Sequence, residues 1–242
     1  MLEVQHLSVN YRGISAIEDV SFQLRPGELV GVIGPNGAGK STMIKAILGL
    51  TPAESGVVRF RARALNQQLA SVAYVPQRSQ VDWDYPVVVH DVVMMARTLH
   101  TRLFRSPSHV SQQVVKAALQ RVGFWVLRDG QFGVLSGGLQ QRVFLATALA
   151  QEAELFFFDE PFVGVDKKTE AVIFEVFAEL KASGKSLMVI SHDLGSTLKE
   201  YDRFLLLNKQ LIAIGSRDDV ITASNIRTAY GGSVILLQRE EL

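Results

Sequence analysis

Residues 34–42 read Gly-Pro-Asn-Gly-Ala-Gly-Lys-Ser-Thr and fit the pattern G-x-x-x-x-G-K-[ST], with which a chain wraps backbone amides around phosphate. The pattern constrains the fold because it works between a strand and a helix, and both flanks are present. Glu28-Leu-Val-Gly-Val-Ile33 is a short apolar, β-branched run that reads as a buried strand. Met43-Ile-Lys-Ala-Ile-Leu-Gly-Leu50 spaces its apolar residues as a helix does. Between them Gly34, Pro35, Asn36, Gly37, Ala38 and Gly39 form a loop whose N–H groups turn inward, and the helix N-terminus adds its positive dipole end. Lys40 can reach the β- and γ-phosphates, and the hydroxyl of Ser41, ahead of Thr42, can ligate Mg²⁺. Such a chain binds a nucleoside triphosphate.

The rest of the chain alternates in character. Gly56–Arg61 and Ser71–Val75 read as short strands, whereas Val87–Leu99, Ser111–Val122 and Leu139–Ala150 have helical periodicity. Thr101–Ser108, basic and holding Pro107, reads as an exposed loop. Strand signals return at Leu155–Phe158 and Ser186–Ile190, and Phe204–Leu207 and Leu211–Ile214 read as a strand pair around a turn at Asn208-Lys209. The expectation is an α/β fold: a mixed or parallel sheet with a helical subdomain inserted at roughly residues 80–150 of one domain, 1–242. The run Met1–Val9 alternates like an edge strand and carries no signal peptide.

Composition excludes several classes. With 25 basic against 24 acidic residues the net charge is +1, which gives no electrostatic case for nucleic acid. The chain has no cysteine, so disulfides, thiolate metal sites and cysteine nucleophiles are excluded. No run approaches the ~18 apolar residues of a membrane helix, and the chain is expected to be soluble by itself.

Two further segments carry chemistry. Leu155-Phe-Phe-Phe-Asp-Glu160 is an apolar strand ending in two acids, at the sheet edge where a phosphate loop also sits. Asp159 can help hold Mg²⁺ with Ser41, and Glu160 can polarise an attacking water. Leu135-Ser-Gly-Gly-Leu-Gln-Gln-Arg142 places Ser136 and two glycines before a helix, which makes a second anion site. The alternative for Ser136 is an ordinary helix N-cap.

Leu135–Gln140 resembles the signature of ATP-binding-cassette (ABC) ATPases, and the family's other landmarks follow in order. Gly34–Thr42 is similar to Walker A, Gln77 to the Q-loop, Leu155–Glu160 to Walker B, Gly164-Val-Asp166 to the D-loop and His192 to the switch histidine. The resemblance implies the ABC ATPase fold, with an N-terminal antiparallel β-subdomain, and a head-to-tail homodimer. In that dimer Ser136, Gly137, Gly138 and Gln140 would serve the partner's ATP, and Asp166 would couple the two sites. It also implies that Tyr11 stacks on adenine, the alternative being a core aromatic. Gln77 would contact Mg²⁺ or the attacking water, and His192 would bind the γ-phosphate and fix that water with Glu160. Two positions depart from the common pattern, Leu139 in the signature and Gly164-Val in the D-loop, and neither removes a phosphate contact.

Gln77-Arg-Ser-Gln-Val-Asp-Trp-Asp-Tyr-Pro-Val87, His90-Asp-Val-Val93 apart by two residues, and Glu160–Asp166 look like the manganese/zinc/iron importer subfamily. The region after Gln77 would then meet a membrane permease, with Trp83 and Tyr85 as aromatic anchors; a core role for Trp83 is the alternative. The implied protein is a peripheral ATPase on the cytoplasmic face of the plasma membrane. It would power metal uptake with ATP and Mg²⁺ and be linked indirectly to a solute-binding protein. A siderophore or cobalamin importer, or a non-transport cassette factor, is the alternative reading.

Overall fold

Alternation of apolar residues produces the first sheet. In the computed structural model, which describes residues 1–77, 86–101, 106–191 and 196–231, β1 (Leu2–Tyr11) pairs antiparallel with β2 (Ile14–Leu24). The two-residue turn Arg12-Gly13 has both φ angles positive, 51° and 86°, as a hairpin matched to strand twist requires. β4 (Ser55–Phe60) pairs on the other side of β1, with β5 (Arg63–Ala64) beyond it, so the order is β2-β1-β4-β5. The N-terminal strand is therefore interior, not the edge strand its sequence suggests. Alternation records only that one face is buried; it is blind to whether the flanking hydrogen bonds are taken.

The chain divides into two compact units, Met1–Gln67 with Met188–Leu242, and Gln68–Leu187. In the first, β3 (Leu29–Ile33) is buried at all five residues and runs parallel to β9 (Arg203–Asn208). β10 (Gln210–Gly215) returns antiparallel along β9. Both faces of such a strand are covered, which is why β3 reads as a continuous apolar run. α1 (Lys40–Ile47) follows the phosphate loop. After β10 come α6 (Arg217–Val220), opened by a Ser216/Asp219 capping box, and α7 (Ala223–Tyr230), capped by Thr222.

In the second unit β6 (Val72–Val75) pairs parallel with β7 (Leu155–Asp159), Val72 opposite Leu155 and Val75 opposite Phe158. β7 is wholly buried, and the Phe158 ring lies 4.6 Å from that of Phe177 on α5 (Lys167–Ala182). α2 (Val89–Met95), α3 (His109–Arg121) and α4 (Gly137–Ala150) pack on one another. Buried Arg97 closes the far end of α4, donating from Nη1 to the Ala150 carbonyl at 2.9 Å and to Glu152 at 2.6 Å. β8 (Ser186–Ile190) is the strand in which the division between the units falls.

Candidate nucleotide site

The phosphate loop is held open by glycines where no other residue fits. Gly34 has φ +150°, and a Cβ there would collide with the carbonyl oxygen of Leu207; Gly39 has φ +91°, and a Cβ would strike the Ala16 carbonyl. Lys40, 5% exposed, is the first residue of α1, and its Nζ donates to the carbonyls of Gly34 at 2.7 Å and Pro35 at 2.9 Å. The ammonium thus ties the loop into a ring, with Asn36 and Gly37 exposed at its crest and Ser41 and Thr42 half-buried behind. A closed ring of amides with a buried cation suits a polyphosphate. Tyr11, at the end of β1, is 46% exposed, with its hydroxyl 3.4 Å from Thr51 Oγ1. The ring is a surface aromatic, not a core one.

In the other unit the ladder between β6 and β7 brings three expected residues together. Asp159, the last residue of β7, is 1% exposed. Beside it lies the Tyr74 hydroxyl, whose ionisation is pushed well above its usual range, first by burial and then by the Asp159 charge. Glu160, half-buried, has φ +55°, a left-handed conformation that costs a non-glycine residue about 1–3 kcal/mol and is typical of functional sites. Gln77 Nε2 donates to Glu160 Oε2 at 2.6 Å. Within this unit the Gln77 amide and the Asp159 carboxylate offer hard oxygens, the chemistry Mg²⁺ prefers.

Ser136 occupies the N-cap position of α4, but its side chain makes no capping hydrogen bond and is exposed. The ordinary-cap alternative therefore does not describe it. Gly137 is half-buried, and Gly138 is buried against Thr169, whose Oγ1 would stand 3.3 Å from a Cβ there. Gln140 departs from expectation: it is 1% exposed. α4 is packed by several helices, its outward arc is narrow, and position 140 falls on the packed side. Asp166 caps α5, its Oδ1 accepting from Thr169 N–H at 2.7 Å. That bond above all holds its carboxyl below the usual range. Arg142 of α4 donates from Nε to Thr169 Oγ1 at 3.1 Å, so signature helix and D-loop share one threonine. His192, Trp83 and Tyr85 lie outside the described residues.

The same unit carries an open groove of about 660 Å³ between α2 and α3, lined among others by His90, Asp91, Met94, His109, Lys116 and Trp125. The stretch leading into α2 is stitched to the segment before the signature: Phe132 N–H donates to Val87 O at 2.9 Å, and Val89 N–H to Gly130 O at 3.0 Å. Sequence reasoning missed this link because neither strand-like piece exceeds a few residues.

A strand–loop–helix phosphate ring and a sheet ending in two acids define a P-loop nucleoside triphosphatase. More particularly, residues 17–163 match the ABC transporter family, and the chain belongs to it. It is an ATP-binding cassette ATPase. The manganese transport system ATP-binding protein MntB of Halalkalibacterium halodurans is 44% identical over 241 residues, covering 100% of this chain and 96% of that protein. The zinc transport system ATP-binding protein TroB of Treponema pallidum is 44% identical over 233 residues, covering 96% and 88%. A solved ATP-binding subunit of an ABC transporter superposes with a TM-score of 0.79 at 27% identity, covering 91% of each chain. Among the described residues no helix is long and apolar enough to cross a membrane.

Proposed function

We propose that this chain is the ATP-hydrolysing subunit of an importer for a divalent metal ion, manganese or zinc foremost and iron third. It works as one cassette domain, residues 1–242 with a helical subdomain around 80–150, at the cytoplasmic face of the membrane. The observation that carries the reading is the Gln77–Glu160 hydrogen bond at the start of the segment that resembles metal importers. Near-full-length identity to manganese and zinc transport subunits supports the cargo.

In this reading Gly34–Thr42 binds the triphosphate and Tyr11 stacks on the adenine. Ser41, Gln77 and Asp159 would hold Mg²⁺, which when bound offsets charge on the phosphate oxygens. Lys40 neutralises developing negative charge, and Glu160, with His192, orients the attacking water and takes its proton. Ser136 and Gly137 present amides and a hydroxyl to the ATP of a second copy, with Gly138 as the tight contact behind them and buried Gln140 as support. Asp166 links the two sites. The permease docks at the region after Gln77 and the groove that follows it. The Val87–Phe132 stitching then connects that contact to the signature. A solute-binding protein delivers the metal to the permease.

The test is uptake in vesicles carrying the cognate permease. ATP-driven manganese or zinc uptake should vanish in Glu160→Gln; uptake indifferent to that change would overturn the mechanism. Stimulation by cobalamin or a ferric siderophore alone would reassign the cargo.

A further inference from the structure

The helix that follows the signature is anchored at its far end by a residue outside every nucleotide-binding motif. α4 starts beside Ser136 and ends at Ala150, and the chain then enters β7, which ends at Asp159. Arg97 stands two residues past α2, its side chain 4% exposed. Its Nη1 donates to the Ala150 carbonyl, one of those a helix end leaves unpaired, and to Glu152. Glu152 has φ +54° at a place where helices usually put glycine, so the ion pair falls on a strained residue. The same end is tied to β6: Gln151 Nε2 donates to Val72 O at 2.7 Å, and Glu154 N–H to Ser71 O at 2.9 Å. The start of α2 is fixed too, by Val89 N–H to Gly130 O at 3.0 Å and His90 N–H to Arg128 O at 2.8 Å. Both ends of α2 are thus bonded to the stretch 128–152 that carries the signature.

We propose that Arg97 is a positioning residue for coupling between the permease and the ATPase. It locks α2 to the end of α4, so that a push on the groove between α2 and α3 moves Ser136 and is not absorbed by slippage between the two helices. The inference rests on the reading of that groove as the permease contact. Its physical basis is the cost of the anchor. A guanidinium this buried gives up its hydration. Its partners are a neutral carbonyl and a carboxylate that is 55% exposed, and its Nε meets no acceptor among the described residues. An apolar side chain of similar volume would fill the place at comparable stability. What it would lack is direction: hydrogen bonds to a helix end fix distance and angle, whereas apolar contacts let two helices slide. Coupling between sites is carried by packed elements that move as units.

Arg97→Met nearly keeps the volume and removes the directed bonds. The chain has no cysteine, so Met95→Cys and Val134→Cys, both at exposed positions, place one spin label at the end of α2 and one just ahead of the signature. The distance distribution between the labels should broaden when Arg97→Met is added. The transporter, purified through a tag on this chain and reconstituted in liposomes with manganese or zinc as cargo, gives the second readout. The ratio of its ATP hydrolysis to that of the isolated chain should fall about 3- to 10-fold in Arg97→Met, and metal uptake should fall with it. The basal rate and the KM for ATP of the isolated chain should stay within twofold. Arg97→Lys, which keeps the charge but not the fork of donors, should restore part of the ratio. An unchanged label distribution, or a ratio within twofold of the unaltered complex whatever the Tm, would reduce Arg97 to scaffold and overturn the inference. Should Arg97→Met fail to fold, Glu152→Gln, which weakens the same ion pair from its exposed side, decides by the same two readouts. If the unaltered chain purifies with no membrane subunit, the permease reading itself falls and takes the inference with it, whatever the labels show.

Discussion

Gln77 and Glu160 stand in register. The parallel ladder of β6 and β7 pairs residues 83 apart, Val72 with Leu155 through Val75 with Phe158, and the 2.6 Å Gln77–Glu160 hydrogen bond continues the same offset past the last strand pair. The expected general base is thereby tied to the residue that opens the segment proposed to meet the permease. Replacing the amide by a carboxylate tests the tie. Gln77→Glu would set a second carboxylate against Glu160, replacing a donated hydrogen bond by like-charge repulsion. Hydrolysis at saturating ATP, measured as phosphate release, should slow about 10-fold or more, and Gln77→Ala, which removes the tie without adding a charge, should slow it less.

Binding and chemistry should separate cleanly between two variants. Lys40 is buried inside the loop it closes, so Lys40→Ala removes both the ring closure and the phosphate cation and should abolish detectable binding of labelled ATP. Glu160→Gln keeps the hydrogen-bond partner of Gln77 but cannot accept a proton. It should bind ATP normally and hydrolyse it about 10²-fold or more slower, measured as phosphate release at saturating ATP.

Thr169 joins two segments assigned to different tasks. Its Oγ1 receives Arg142 of α4 and its N–H is held by Asp166, while Gly138 packs on it. Thr169→Val keeps the shape and the backbone bond but removes the hydroxyl, leaving the Arg142 bond unmade. The cost to stability should be about 1–2 kcal/mol in urea unfolding. The cooperativity of hydrolysis with ATP should fall if the signature and D-loop act through this contact.

The motifs were legible because each is contiguous and each needs its residue types at fixed spacing: Gly34–Thr42, Leu155–Glu160 and Leu135–Gln140 could be read without knowing the fold. The strands and helices that carry them followed from periodicity. The misses share one cause, which is partners distant in the chain. The interior place of β1 depends on β4, some fifty residues later. The burial of Gln140 depends on how many helices surround α4. α5 is hard to see in the sequence, although Ile173, Val176 and Phe177 fall on one helical face, because apolar Val172 and Phe174 beside them blur the stripe. The turn at Asn208-Lys209 carries no motif; only the fold brings the Lys209 N–H to the Ala38 carbonyl of the loop.

Arg121 on α3 holds α5 through a two-point grip, with Nε at 2.9 and 2.8 Å from the two carboxylate oxygens of Glu179 and Nη2 3.4 Å from Glu175. The hydrogen bond from the guanidinium is the main cause that keeps the Glu179 carboxyl below its usual value of 4.5, with burial opposing it. The sign follows: a carboxyl depressed in the folded state favours folding above its unfolded pKa, and that contribution disappears as pH falls through the lower folded value. Glu179 is exposed and Arg121 partly so, so the pair is worth no more than about 0.2–1 kcal/mol. Glu179→Gln should therefore lower stability by that amount in urea titrations at pH 7. The gap should narrow as pH drops below 4.5 and close once the folded carboxyl is protonated, and it should shrink in high salt at neutral pH. A gap independent of pH would mean that the side chain contributes by packing on α3 and not by its charge.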